Sequence, residues 1–263
     1  MLRLAVINLA MLLALAAPAL ADERADAALA TSLGAIGSEV PDLRFRGTDG
    51  KQVSLGSLRG KPVLLTLIYT GCADVCPAVI ESLAPAVSTG EDALGEGSFT
   101  VVTIGFDTRN DTPERMRSFA REHNAGGENW HFLASDSQTM EQLTAAVGFD
   151  YFSSAGGFDH MAQVTVLDKQ GRIYRQVYGS SFDPPQIVEP LKELVFGREK
   201  PFLSFAGLAD RVKLFCTVYN PNTGRYYFNY SLFFSIVIGA VSLALVLYVL
   251  VRETRKSLRA GGA

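Results

Sequence analysis

Val63-Leu-Leu-Thr-Leu-Ile-Tyr69-Thr70-Gly71-Cys72-Ala73-Asp74-Val75-Cys76-Pro77 is the stretch from which the rest of the chain is read. Val63 to Tyr69 is a short apolar run between Pro62 and Gly71, which predicts a strand buried on both faces. Pro77 suits the first turn of a helix, because its missing N–H is one of the donors without an intrahelical partner there. Two cysteines therefore lie in a strand-to-helix loop, at the helix end that carries unpaired N–H groups and partial positive charge. Such a place favours thiolate over thiol. A thiolate pair is either a redox couple or a clamp for a soft metal.

Upstream, Leu43–Arg46, the turn Thr48-Asp49-Gly50 and Gln52–Leu55 predict a β-hairpin, and Asp22 to Glu39 reads as an Ala/Ser/Gly-rich linker. Downstream, the helix from Pro77 is expected to end or kink near Ala84, before Pro85. Phe99–Phe106 is a second apolar strand. Thr112-Pro113-Glu114 is a helix start, with Thr112 as cap and Pro113 in the first turn, and that helix runs to about His123. Trp130–Ala134 reads as a strand and Ser137–Val147 as a helix. Met161–Leu167 and Arg172–Tyr178 form a hairpin about Asp168–Gly171, and Pro184–Phe196 is the last helix. Strands alternating with helices imply an α/β domain with a largely parallel sheet.

The two ends carry targeting signals. Arg3, the apolar run Leu4–Leu15 and Ala19-Leu20-Ala21 before Asp22 make residues 1–21 a secretory signal peptide. Leu232–Val251 is a charge-free run of roughly the 20 residues that cross a bilayer. Arg252, Arg255, Lys256 and Arg259 follow it, which keeps the C-terminus on the cytoplasmic side. Tyr226, Tyr227, Tyr230 and Tyr248 fall where an interfacial aromatic belt would. The expected division is signal peptide 1–21, linker 22–40, globular domain 41–199, juxtamembrane segment 200–231, membrane helix 232–251 and cytoplasmic tail 252–263. The chain has 263 residues, a formal charge of −3 and no basic patch, so nucleic acid is not an expected partner. Only three cysteines occur, too few for a disulfide framework.

Three motifs in order resemble the Sco/SenC family, the membrane-tethered copper chaperones of cytochrome c oxidase assembly. Tyr69-Thr-Gly-Cys72-Ala-Asp-Val-Cys76-Pro77 resembles the family's Cys-x-x-x-Cys-Pro loop. Asp107-Thr-Arg-Asn-Asp111-Thr112-Pro113-Glu114 resembles its aspartate and Asp-Thr-Pro segment, and Asp159-His160 its Asp-His segment. The resemblance spans Leu43 to Phe196. It implies a thioredoxin-like α/β domain with a central mixed sheet, here joined to one C-terminal transmembrane helix. It also implies copper, as Cu(I) or Cu(II), held by Cys72, Cys76 and His160. The implied role is metallation of the dinuclear copper centre in the copper-containing subunit of cytochrome c oxidase, from the periplasmic side of the cell membrane. This chain departs from the usual pattern with Ala73 after the first cysteine, Thr108 after Asp107 and an anchor at its C-terminal end.

Chemistry alone leaves alternatives. Soft thiolates select Cu(I), zinc or iron–sulfur clusters, and a four-ligand zinc site needs more ligands than the loop offers. Thioredoxin-type exchange uses Cys-x-x-Cys, one residue shorter, with a cis-proline facing it. No proline lies between Pro113 and Pro184, and that segment presents His160 instead. A thiol–disulfide oxidoreductase keeping client cysteines reduced, with a Cys72–Cys76 disulfide, remains the alternative, as does a copper or redox sensor. His123 is expected at a helix C-terminus and His131 in a structural strand position. Asp107 and Asp111 read as a helix-capping loop that would also serve to orient the cysteine loop. Asp74 is a docking or loop-forming residue. Cys216 is either a buried small hydrophobe or a free thiol near the membrane.

Overall fold

The computed structural model describes residues 23–154, 156–197, 213, 216–221 and 223–260. The expected signal peptide lies outside them. Two units are resolved, Met1–Glu199 and Lys200–Ala263.

The first unit begins with a helix where a linker is expected. Residues 23–34 form α1, an Ala-rich stretch with good helix propensity. Ala28 and Ser32 are its buried positions. The Ser32 hydroxyl donates to Gln163 Oε1 at 2.9 Å and accepts from Tyr178 at 2.9 Å. Gly148 comes so close that a Cβ there would stand 2.7 Å from the Thr31 carbonyl oxygen. These contacts come from far along the chain, which is why composition alone reads as linker.

β1 (Arg44–Gly47) and β2 (Gln52–Ser54) form the expected antiparallel hairpin, with Gly50 at a φ of 83° in its turn. β3 (Val63–Ile68) is buried at every position and leads through the cysteine loop to α2 (Val75–Leu94). The helix starts two residues before Pro77 and runs through Pro85. Pro85 lies on the exposed side, while Leu83, Ala86 and Val87 are buried on the other. Apolar packing on both sides of the proline carries the helix past the missing hydrogen bond.

β4 (Thr100–Gly105) is buried throughout. α3 (Pro113–Glu122) is capped by Thr112, whose hydroxyl accepts from the Arg115 amide. β5 (Trp130–Ala134) and α4 (Ser137–Val147) occupy their expected ranges. Next comes a hairpin that sequence reading did not predict, β6 (Tyr151–Ser154) with β7 (Gly157–His160). β8 (Gln163–Leu167), β9 (Ile173–Tyr178) and α5 (Pro184–Phe196) complete the unit.

The main sheet has seven strands in the order β2-β1-β5-β4-β3-β8-β9. Only β5, β4 and β3 are mutually parallel; β1 joins β5, and β8 joins β3, antiparallel. The sheet is therefore mixed, as the family resemblance implies, and not largely parallel as the alternation of elements alone suggests, because both hairpins pair at its flanks. This is a thioredoxin-like α/β arrangement. β3 and β4 sit at its centre, so their C-terminal ends present the loops at 69–76 and 106–112.

In the second unit, part of the expected linking segment is a hairpin, β10 (Thr217–Asn220) with β11 (Arg225–Phe228). Cross-strand aromatic contact holds it, with the Tyr219 and Tyr226 rings 5.3 Å apart. Cys216 is 3% exposed, which fits a small buried hydrophobe. The helix α6 (Ser231–Ala260) follows. Among the described residues no helix is long and apolar enough to cross a membrane. Within the expected span Leu232–Val251, the side chains at 232, 233 and 249–251 lie outside the description. Described apolar side chains such as Phe234, Ile238 and Leu243 are exposed.

Candidate functional site

The cysteine loop is tied down before it turns. Asp111 is 1% exposed and its carboxylate accepts three hydrogen bonds. Oδ1 accepts from the Thr70 amide at 2.8 Å and the Thr70 hydroxyl at 2.7 Å; Oδ2 accepts from the Asp107 amide at 2.9 Å. Burial raises the Asp111 pKa, and the bonds from Thr70 and Asp107 work against that rise. Gly105 makes the arrangement possible, since a Cβ there would stand 2.4 Å from the Asp111 Cβ. Thr112 is the helix cap, so Asp111 serves the cysteine loop rather than α3. Asp107 accepts from Asn110 Nδ2 at 2.7 Å and shapes the same turn.

The loop then closes on itself. The Cys72 amide donates to the Tyr69 carbonyl at 3.1 Å. Asp74, exposed at the start of α2, makes no side-chain cap. The sulfur of Cys72 takes that part and accepts from the Cys76 amide at 3.3 Å. The two cysteines thus differ. Cys72 is partly exposed, and burial opposes its thiolate. The amides of Cys76 and Asp74, the Cys76 thiol and the Tyr69 hydroxyl nevertheless hold its pKa below that of an ordinary thiol. Cys76 is 1% exposed, and burial, with the nearby Cys72 sulfur and Asp111 carboxylate, pushes its pKa far up. Both cysteines are free thiols.

His160 ends β7. Its ring lies against Phe106, Phe149 and Tyr69, with centroids 5.2, 5.4 and 6.1 Å away. Burial keeps its pKa below the usual value, against opposing effects of the Met161 carbonyl and Asp159. Its Nδ1 lies 3.4 Å from the Met161 carbonyl oxygen, which only accepts, so Nδ1 carries the proton and Nε2 the lone pair. His160 also lines a pocket of about 390 Å³ with Arg24, Asp150 and Phe152.

The structure brings Cys72 and Cys76 into contact and places His160 across Tyr69 from them. Among the described residues, no three His, Cys, Asp or Glu side chains are grouped closely enough to hold a metal ion. His123 Nδ1 meets Glu81 Oε1 at 2.9 Å and its ring lies on Phe119, at the end of α3 as expected. His131 is half-buried in β5, between β1 and β4, and burial lowers its pKa. Sequence reading passed over Tyr69 and Phe106, because each reads as one more apolar residue at a strand end.

A 33% identical stretch of 113 residues matches the SCO1 protein homolog of Bacillus subtilis (strain 168), covering 42% of this chain. The match spans 56% of that relative's own length. A candidate electron transfer protein of Aquifex aeolicus VF5 is 29% identical, with a TM-score of 0.56 over 62% of this chain and 95% of that one. Bradyrhizobium japonicum ScoI with copper bound shares the fold, at 21% identity and a TM-score of 0.50 over 60% of this chain and 99% of that one. The family profile described as SCO1/SenC matches residues 37–196, from the turn after α1 to the last residue of α5, and so the chain belongs to the SCO1/SenC family.

Proposed function

We propose that this chain is a membrane-anchored copper metallochaperone that assists metallation of the dinuclear copper centre of cytochrome c oxidase. Copper is its cargo. The observation that carries the reading is the pair of sulfurs at the α2 N-terminus, with an imidazole lone pair one aromatic ring away. The donor set fits the ion. Two sulfurs are soft enough to select Cu(I), and the backbone N–H groups around Cys72 help to keep that sulfur deprotonated for binding. Burial keeps His160 neutral, and the Met161 carbonyl leaves Nε2 to bind. Cys72 and Cys76 would hold the ion first, and His160 would join them by movement of the β6–β7 hairpin. Release to a client would proceed by ligand exchange, for which Cys72 is the accessible sulfur. The family membership and the copper-bound ScoI that shares this fold support the assignment.

The anchor belongs to the same proposal. The uncharged run Leu232–Val251, the basic residues after it and the interfacial tyrosines support a single pass with the C-terminus inside. The globular unit would then work on the periplasmic side, after removal of residues 1–21. A tether raises the effective concentration of the site at a membrane-bound client.

A second reading has its own observation. An accessible Cys72 with a lowered pKa beside a buried Cys76 with a raised one is the asymmetry of an attacking and a resolving thiol. Thiol–disulfide exchange keeping the client's cysteines reduced would use it. Copper titration of the reduced protein, wild type against His160→Ala, separates the two. Copper retention collapses in a chaperone while dithiol exchange survives in a reductase. Unchanged copper retention in the variant would remove His160 from the site.

A further inference from the structure

We propose that Ser32 on α1 is a positioning residue for His160: through it the helix clamps both roots of the β6–β7 hairpin and so sets where that imidazole stands. The placement of His160 matters to the function proposed above, but the clamp is a property of the metal-free protein.

α1 buries little. Of residues 23–34 only Ala28 and Ser32 are buried, and Leu33 is 48% exposed. A helix of this length is marginal by itself and normally draws its stability from packing an apolar face. Here most of that face is missing, so the bonds of the Ser32 hydroxyl carry a large share of the docking. The hydroxyl has one donor and two acceptor positions, and it uses both capacities. It donates to Gln163 Oε1 and accepts from the Tyr178 hydroxyl, both at 2.9 Å. Gln163 and Tyr178 are direct partners across β8 and β9, so Ser32 sits on the end of that strand pair.

The places that α1 touches are the two roots of the hairpin. Gln163 begins β8, three residues after His160. Gly148 lies three residues before β6, and a Cβ there would stand 2.7 Å from the Thr31 carbonyl oxygen. A buried polar network joins the roots to each other. Gln163 Nε2 donates to the Val147 carbonyl at 3.4 Å, and Gln176 Nε2 donates to the same carbonyl at 3.0 Å. The start of α1 reaches the hairpin itself, with the Arg24 guanidinium 5.9 Å from the centre of the Phe152 ring. Arg24, Ala25 and Ala28 also line the pocket that Phe152, Asp159 and His160 line from the hairpin. The SCO1/SenC profile begins at residue 37, so the clamp comes from a helix that precedes the matched region. Opening the hairpin pulls on both roots and strains the Ser32 bonds; without them the same opening costs less.

The test is amide hydrogen exchange in the metal-free full chain, with the NMR signals of the His160 ring protons as a second readout. Those signals report placement, because the Phe106 and Phe149 rings beside the imidazole shift them. Ser32→Ala should speed exchange across residues 151–160 about fivefold, as expected for the net loss of about one hydrogen bond, and should move the His160 signals. Tyr178→Phe keeps the Ser32–Gln163 bond and is the milder variant; it should act in the same direction with a smaller effect. A bond that only stabilised the fold would lower the denaturation midpoint and leave hairpin exchange and the His160 signals unchanged in both variants. That result would overturn the proposal. If the wild type bound no copper, the chaperone reading would fail while the metal-free measurements still decided the role of Ser32.

Discussion

Cys72 and Cys76 follow a strand buried at all six of its positions, whereas His160 ends a four-residue strand of a hairpin outside the main sheet. The first region is anchored by polar bonds. Asp111 fixes Thr70, and β3 is paired on both sides, parallel to β4 and antiparallel to β8. The second is held by packing of Phe158, Tyr151 and His160 against Tyr69 and Phe106, and Phe152 on it is 47% exposed. A site made of one fixed and one loosely held half can capture an ion with the first half and give it up by moving the second. Local stability follows the same division, since elements with few buried apolar contacts open at lower cost than core strands.

The largest expected effect breaks the fixed half. Replacing Cys72 and Cys76 with serine together removes both soft donors, and copper binding by the reduced protein should be lost in titration. Retention at wild-type strength would show that the cysteine loop is not the holding half. His160→Ala should lower copper affinity while leaving iodoacetamide alkylation of Cys72 in the apo-protein unchanged.

Asp111→Ala comes next and acts on the frame. It strands the Thr70 amide and hydroxyl and the Asp107 amide, at a cost of about 3 kcal/mol in unfolding free energy. Chemical denaturation should show the whole domain weakened. Gly157→Ala supplies the contrast on the hairpin side. Its strained φ of +125° and the contact of the added Cβ with Tyr69 cost about 1–2 kcal/mol locally. Hydrogen exchange at residues 151–160 should accelerate with little change in the global denaturation midpoint. A global loss equal to that of Asp111→Ala would mean that the hairpin and the sheet unfold as one unit, and the two-halves picture would fail.

The smallest effect is a pH dependence. Burial depresses the His160 pKa below its ordinary 6.5. An unfolded chain takes up a proton below that value which the folded chain resists. The stability from this group is present above about pH 6.5 and is lost as pH falls through the folded pKa. Unfolding free energy should therefore decline as pH falls below about 6.5, and decline less in His160→Gln. Equal slopes would place His160 in water rather than among the rings.

Much of this architecture is legible in the chain. Val63–Tyr69 followed by Cys72, Cys76 and Pro77 announces a buried strand, a loop and a helix start. Thr112-Pro113 marks the next helix because capping and proline geometry are local. β5, α4 and α5 occupy the ranges their patterns predict. Pro85 misleads, because the apolar face that holds α2 together continues on both sides of it. The β6–β7 hairpin has no clean alternation to announce it, since most of its residues are half-buried against Phe106 and Tyr69.

The sequence by itself determined the cysteine pair at a helix N-terminus, the alternation of elements and the family motifs, because spacing, capping and periodicity act over a few residues. Only the tertiary structure decided which strands flank the sheet antiparallel, that Asp111 serves Thr70 rather than a cap, that α1 packs where a linker was expected, and that Tyr69 packs between the cysteine loop and His160. Those facts depend on strand order and on side chains meeting across 40 to 130 residues of chain, as Thr70 with Asp111 and Ser32 with Gln163 do. No local pattern encodes such meetings, because they arise only when burial of the apolar strands brings distant loops to the same edge of the sheet.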